Sequence, residues 1–341
     1  MGTDAGEQRV GILVELPHLL RELGADPAAV VSDAGLDPDV LLDPENVIPF
    51  LALGRLLQRC VEATQVTHFG LLLGEKSVLR HYGLVGQLMR NAPNLGTAMG
   101  DIAVNQRRYV RGSVPYLLVQ GDTAFWGYAV HAPSFPAVEQ LLDVAVATGI
   151  RMMWELAEAT PDEVMLSRLK PADPGPYYRM LGPTLRFDAD QTALAFSTTL
   201  LQKPVLNADP RLRRTLDDAV SKYWAVAQPN MGSQVVRILR PRLVSGLPTT
   251  LQAVAEALSI HPRTLDRRLS EAGTTFRKRL NEARFVVAQQ LLAGTRMTIS
   301  SIGASLEYGD ASAFSHAFRA WSGTTPVEWR ARAALPSPDF Q

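Results

Sequence analysis

The chain has 341 residues, 46% of them hydrophobic and 20% charged, with 34 Lys+Arg balancing 34 Asp+Glu. That length predicts two or three domains with cores of their own, and the single cysteine, Cys60, excludes an internal disulfide or a thiolate metal cluster. Residues 1–11 carry no apolar run behind a basic start, and no stretch approaches the roughly 20 apolar residues of a membrane helix, so we expect a soluble protein of the reducing cytoplasm with no membrane partner.

The first hundred residues read as helical. Asp26-Pro27 and Pro49 sit where helices start, and Phe50, Leu53, Leu56, Leu57 and Val61 recur at helical spacing. A further helix is expected from Leu95 to about Val110, opened by Asn94. The period then changes to two: Tyr116–Gln120 and Thr123–Tyr128 flank Gly121-Asp122, which predicts a β-hairpin. A long helix near 137–156, a strand at 163–169 and a second hairpin over 185–197, turning at Asp188-Ala189-Asp190, complete an α+β domain ending near Val226. Gln228-Pro229-Asn230-Met231-Gly232 is the expected linker.

From Val235 the pattern is helical throughout. Thr249-Thr250-Leu251-Gln252 spells a capping box before a short helix carrying Leu251, Val254, Ala255 and Leu258. After a short break, Pro262 opens a second helix that Gly273 ends; Leu265 and Leu269 face inward, whereas Arg263, Asp266 and Arg267 face out. Two short helices around a tight turn, the second with exposed arginines, describe a helix-turn-helix. The arrangement recurs: Ile299, Ile302 and Leu306, a break at Glu307-Tyr308-Gly309, then a helix capped by Asp310 that buries Phe314, Phe318 and Trp321 and leaves Ser312, Ala313 and His316 facing out. A helix over about 274–293, ended by Gly294, joins the two units; its roughly 19 residues span about 28 Å, close to the separation of successive major-groove segments on one face of B-DNA, about 34 Å. Residues 235–335 hold 14 Lys+Arg against 7 Asp+Glu, so a tail with seven excess positive charges follows a front with seven excess negative ones. Phosphate contact requires such an excess.

The run Arg263-Thr264-Leu265-Asp266-Arg267-Arg268-Leu269, then Gly273-Thr274-Thr275-Phe276, Arg284, Leu291-Leu292, Ile299, Ile302 and the stretch from Asp310 to Pro326 resemble the signature of the AraC/XylS family of bacterial transcription regulators. The front half, through Phe69-Gly70-Leu71, Gly83-Leu84-Val85-Gly86, the stretch from Tyr109 to Phe125 and Pro204-Val205-Leu206 before Asp209, is similar to the arabinose-binding-type sensor domain of one branch of that family. The expected architecture is an α+β N-terminal regulatory domain (residues 1–227), an all-α DNA-binding domain of two helix-turn-helix motifs joined by a long helix (228–335), and a tail (336–341). Three departures touch the second unit: Gly303 stands where alanine is usual, Glu307-Tyr308-Gly309 replaces a Gly-Phe-Ser-like turn, and His316 stands where arginine is frequent.

The resemblance implies a regulator, commonly an activator, that binds double-stranded promoter DNA, recruits RNA polymerase and works as a homodimer. Arg263 and Arg267 are the foremost base readers, because an arginine fork pairs with guanine O6 and N7; Asp266, Ser312, Ala313 and His316 complete the reading set, and Arg277, Lys278 and Arg319 are the phosphate contacts. For the front domain two readings stand open: a sensor for an apolar or amphipathic effector, or a dimerisation or partner module that senses nothing. Effector-binding residues are not readable from the sequence. Phe125, Trp126, Tyr128 and Trp154 are either pocket-lining or core, as are Tyr177 and Tyr178. His18, His68, His81 and His131 lack metal spacing, so no metal or cofactor is expected. Nor is catalysis: a DNA-repair methyltransferase fused to this kind of DNA-binding unit needs several thiolates, and Cys60 stands alone in an apolar helical face.

Overall fold

The computed structural model describes residues 6–106, 112–132, 134–225, 230–258 and 260–333. The chain opens with β1 (Glu7–Arg9), α1 (Leu16–Glu22) and α2 (Pro27–Asp33). There follow β2 (Val47–Pro49), α3 (Phe50–Thr64), α4 (Phe69–Glu75), α5 (Gly83–Arg90) and α6 (Leu95–Gln106). Proline marks the starts of α2 and α3 as expected, and the Asn94 side chain accepts from the Thr97 N–H at 2.9 Å to open α6. The stripe Phe50, Leu53, Leu56, Leu57 and Cys60 is buried against Leu16, Leu20 and Phe69. The expected continuation of α6 to Val110 falls outside the described residues.

β3 (Ser113–Gln120) and β4 (Thr123–Val130) form the expected hairpin. α7 (Val138–Ala157), β5 (Glu163–Met165), α8 (Gly175–Leu181), β6 (Leu185–Arg186) and β7 (Ala193–Ser197) follow, then α9 (Pro210–Ala225). The sheet order is β3-β4-β7-β5-β6, antiparallel except for the parallel β5–β6 pair. The second hairpin expected over 185–197 is therefore incorrect. β5 lies between β6 and β7, so the loop holding Asp188-Ala189-Asp190 reverses the chain but carries it past β5, and β6 does not pair with β7. The loop is held by the β5 end of the chain, with the Asp188 N–H donating to Arg168 O and the Ala189 N–H to Leu166 O, which removes residues 187–192 from any ladder.

The two faces of this sheet do different work. Leu117, Ala124, Trp126, Leu194 and Phe196 point to α7 and α6 and make one core. Val114, Tyr116, Leu118 and Ala129 point the other way, into the core of the helical C-terminal region. That region comprises α10 (Met231–Val244), α11 (Leu251–Ala257), α12 (Pro262–Glu271), α13 (Phe276–Gly294), α14 (Ile299–Ser305), α15 (Ala311–Ser322) and α16 (Pro326–Ala333). Of the expected linker, Gln228 and Pro229 lie outside the described residues. The rest is no linker: Asn230 caps α10 through a bond from the Ser233 N–H (2.8 Å), and Met231-Gly232 are its first turn.

The C-terminal region is docked on the sheet rather than tethered beside it. α10 contacts α6 and β3, the C-terminal end of α13 contacts β4, and α14 contacts β3. Gly294, expected only to end its helix, has a second role: a Cβ there would sit 2.9 Å from the Ala129 Cβ and 3.0 Å from the Val130 carbonyl oxygen, so the missing side chain lets α13 lie directly on β4. Arg296 completes the join. Its N–H donates to Asp190 O (2.7 Å) and its guanidinium to Asp188 Oδ1 (2.8 Å), Ala189 O (2.7 Å) and Ser167 O (3.1 Å).

Candidate nucleic-acid interface

α11 and α12 form the first two-helix unit. Its N-cap is Thr250, whose hydroxyl accepts from the Ala253 N–H at 3.2 Å, one residue later than the predicted capping box; Thr249 instead donates to the Glu307 carboxylate (2.7 Å). His261 caps α12, Nδ1 accepting from the Arg263 N–H at 3.2 Å, and Pro262 occupies the first helical position. Leu265 and Leu269 are fully buried; Arg263, Asp266 and Arg267 are exposed, as the periodicity requires. In the second unit α14 and α15 repeat the geometry. Asp310 accepts from the Ala313 N–H at 2.7 Å, Phe314 and Phe318 are fully buried, Trp321 is half-buried, and Ser312, Ala313, His316 and Arg319 are exposed.

α13 joins the units and is 19 residues long. Thr275 caps it, and Arg277 and Lys278 stand exposed in its first turn, beside a surface depression that reaches Trp321 of α15. The relation between the units is braced at the Glu307 turn. The Glu307 carboxylate accepts from Arg284 of α13 (2.6 Å) as well as from Thr249, and the Arg284 guanidinium lies 5.1 Å from the Tyr308 ring centre. The departure at Glu307-Tyr308 thus supplies a clasp across both units and the helix between them. Glu307 reaches it with a positive φ of 63°. At Gly303 a Cβ would meet the Phe314 Cβ at 3.0 Å, so the glycine matches a close packing of α14 on α15.

The basic residues of the C-terminal region divide by use. Arg284 pairs with Glu307, Arg279 with Glu282 (2.7 Å), Arg330 donates to the Leu292 and Met297 carbonyls, and Arg296 holds the front domain. Burial lowers the basicity of Arg237, Arg240 and Arg242 on α10. Arg263, Arg267, Arg268, Arg277, Lys278 and Arg319 are exposed on or beside the second helices of the two units. Arg267 lies 3.7 Å from Glu271 across one exposed turn. Arg268 is an addition to the predicted set; the spacing that puts Arg263 and Arg267 on one face leaves Arg268 on its flank, and only the burial pattern shows it open to solvent.

A family model described as "Arabinose-binding domain of AraC transcription regulator, N-term" matches residues 24–205, and one described as "Helix-turn-helix domain" matches residues 254–332. The chain belongs to the AraC family of transcription regulators. The HTH-type transcriptional regulator VirS of Mycobacterium tuberculosis is 27% identical over 320 residues, covering 92% of this chain and 93% of VirS. The ornithine utilization regulator of Pseudomonas aeruginosa is 26% identical over 322 residues, covering 92% and 94%. The crystal structure of the Pseudomonas aeruginosa regulator CdpR aligns over 95% of this chain and 99% of its own at 21% identity, with a TM-score of 0.47. This AraC-family chain is a transcription regulator with a helix-turn-helix DNA-binding domain behind an α/β domain.

In the front domain of this AraC-family chain, the aromatic residues left open by the sequence separate. Trp126 and Tyr128 line a cavity of about 110 Å³ between the sheet and the helices; Phe125 points to the opposite face, and Trp154 is 52% exposed. Tyr177 is core, its hydroxyl donating to Asp143 at 3.0 Å, and Tyr178 is at the surface. His81 pairs with Glu15 at 3.1 Å; burial pulls its pKa down against the pull of that carboxylate. Among the described residues no group of three or more His, Cys, Asp or Glu could hold a metal, and no helix is long and apolar enough to cross a membrane. Cys60 is buried in the α3 face, and burial pushes its thiol pKa up to about 12.

Proposed function

We propose that the chain, acting in the cytoplasm as a homodimer, seats α12 and α15 in two successive major-groove segments of double-stranded promoter DNA and recruits RNA polymerase as an activator. Arg263, Asp266 and Arg267 read base edges in one segment and Ser312, Ala313 and His316 in the other, while Arg277, Lys278, Arg319 and Arg268 hold phosphates. Residues 1–227 act as the regulatory unit and 228–335 as the reading unit, and a small-molecule effector on the former alters promoter occupancy. The observation that carries this reading is the pairing of two solvent-open second helices on one rigid spacer. A 19-residue helix spans about 28 Å, against about 34 Å between successive groove openings on one face. His316 is shorter than arginine and lacks its five-donor fork, so the second segment contributes less discrimination than the first.

Selection of genomic DNA fragments by the purified full chain tests the proposal. A two-block motif, with one block lost in Arg263→Ala and Arg267→Ala, is the expected result; sequence-blind, steeply salt-dependent binding would reduce the basic region to a phosphate grip.

A further inference from the structure

The cavity beneath Trp126 and Tyr128 is bounded by the sheet, α3, α6, α7 and the N-terminal segment, and most of its lining is aliphatic. Three buried polar atoms in that lining have no hydrogen-bond partner among the described residues: the Trp126 Nε1–H, the Asn105 Oδ1 and the Thr148 Oγ1, the last lying beside the Tyr82 hydroxyl. Trp126 is 4% exposed and Asn105 2%. The Asn105 Nδ2 donates to the Asp101 carbonyl at 2.7 Å, which sets the orientation of the amide and leaves its oxygen as the unmet acceptor. Native interiors satisfy nearly all buried polar groups, so an unmet donor and an unmet acceptor in one apolar chamber call for a reason.

The charges at the chamber are already answered. Arg9 pairs with Glu45, and His81 with Glu15. A ligand there meets one donor, one acceptor and the Thr148 hydroxyl, which can serve as either, but no uncompensated charge among the described residues. A hydroxyl or an amide on the ligand answers the Trp126 and Asn105 groups, accepting from the indole and donating to the amide oxygen. An engineered apolar cavity of about 150 Å³ takes benzene, so a chamber of about 110 Å³ takes a molecule of benzene's size or smaller, about four to six heavy atoms.

The chamber shares its wall with the DNA-binding region. On α6, Ile102 and Asn105 face the chamber while Ala103 enters the C-terminal core. On β4, Trp126 and Tyr128 face the chamber, and Ala129 between Tyr128 and Val130 lies against Gly294 of α13, the helix that spaces the two reading units. A ligand that moves α6 or β4 therefore moves the surface on which α13 rests.

We infer that this chamber is the effector site, and that its ligand is a small, neutral, mainly apolar molecule carrying one hydroxyl or amide, held between Trp126 and Asn105 and sensed through α6 and β4. The inference rests on the effector control proposed above and gives it a site and a ligand class. Calorimetric titration of the full chain with cyclopentanol, cyclopentane and butyrate tests it, together with the variants Trp126→Phe and Asn105→Ala, whose folding is checked by circular dichroism and melting temperature. Expected are saturable one-to-one binding of cyclopentanol, about tenfold weaker binding of cyclopentane, none of butyrate, and loss of the preference for the alcohol in either folded variant. Linkage then requires cyclopentanol to change affinity for the selected DNA, and that DNA to change affinity for cyclopentanol by the same factor. No saturable binding of any probe, or a preference that survives both variants, overturns the assignment and leaves the chamber to water. A fourth arm separates the two levels. If a small-molecule extract of bacterial cells shifts DNA affinity equally in the wild type and in both variants, this site is wrong and effector control stands; if neither the extract nor any probe shifts it, effector control itself fails.

Discussion

An arginine carries a planar fork of five donors that matches two acceptors on a guanine edge, whereas a lysine is a point charge that suits any phosphate. That difference separates the expected behaviour of the exposed cations. Arg263→Ala and Arg267→Ala should each cost about 1–3 kcal/mol of specific binding and relax preference at one base position, while Lys278→Ala should weaken all sequences alike and lower the salt slope by about one. Binding curves on specific and scrambled DNA across a salt series check this; an Arg263→Ala variant that lost affinity equally on both would contradict its base-reading role. Cys60 offers a different test at the same scale. Its buried thiol, with a pKa of about 12, stays protonated at neutral pH, so the native chain should resist iodoacetamide and react only on unfolding. Rapid labelling of the native chain would mean that the α3 face opens. The outward set Arg263, Asp266 and Arg267 was readable because helical spacing alone separates it from Leu265 and Leu269. Arg296 was not, because its partners Ser167, Asp188 and Ala189 lie over a hundred residues away and no local pattern encodes them.

Caps and close approaches decide how firmly each reading helix is held. Asp310→Ala removes the side-chain acceptor for the Ala313 N–H and should cost about 1 kcal/mol of stability, concentrated in α15, which carries three of the proposed base readers. Melting of the variant, with hydrogen exchange at residues 311–322, measures both the size and the location of that loss; a loss spread evenly over the chain would contradict the local role. Gly294→Leu should act on another junction. The new side chain would collide with Ala129 and the Val130 carbonyl, so α13 must lift from β4 and amide exchange in β3 and β4 should rise; unchanged exchange there would mean that the join tolerates the wedge. Elements with strong local signals were legible: the β3–β4 hairpin from its period of two around Gly121-Asp122, and α12 from Pro262 and Gly273. The 185–197 segment misled because two β-like runs around Asp188-Ala189-Asp190 look like a hairpin in sequence. Only tertiary pairing shows β5 inserted between them. The capping box was displaced by one residue because Thr249 and Thr250 are equivalent locally, and the distant Glu307 recruits the first of them.

At the scale of the whole molecule, the outer face of the front-domain sheet and the helical core of the C-terminal region form one continuous apolar cluster. The division into an α+β front and a helical DNA-binding rear was visible in the change of period and in the charge asymmetry. Their docking was not, because the residues that make it, Val114, Tyr116, Leu118 and Ala129, read equally well as one side of an ordinary sheet core. The chamber escaped for a similar reason: Trp126 and Asn105 lie on different elements, and a sequence does not show which buried polar atoms end without partners. Docking leaves the exposed residues of α12 and α15 open to solvent, so the front domain does not bury the side chains proposed to read DNA. The most direct test of two-groove reading is hydroxyl-radical and methylation-interference footprinting of the full chain on a selected fragment. We predict two protected major-groove blocks on one face of the duplex, about 10 base pairs apart centre to centre for each protomer, with Arg263→Ala and Arg267→Ala erasing one block and His316→Ala weakening the other. A single protected block, or α12 and α15 variants that disturb the same bases, would contradict it.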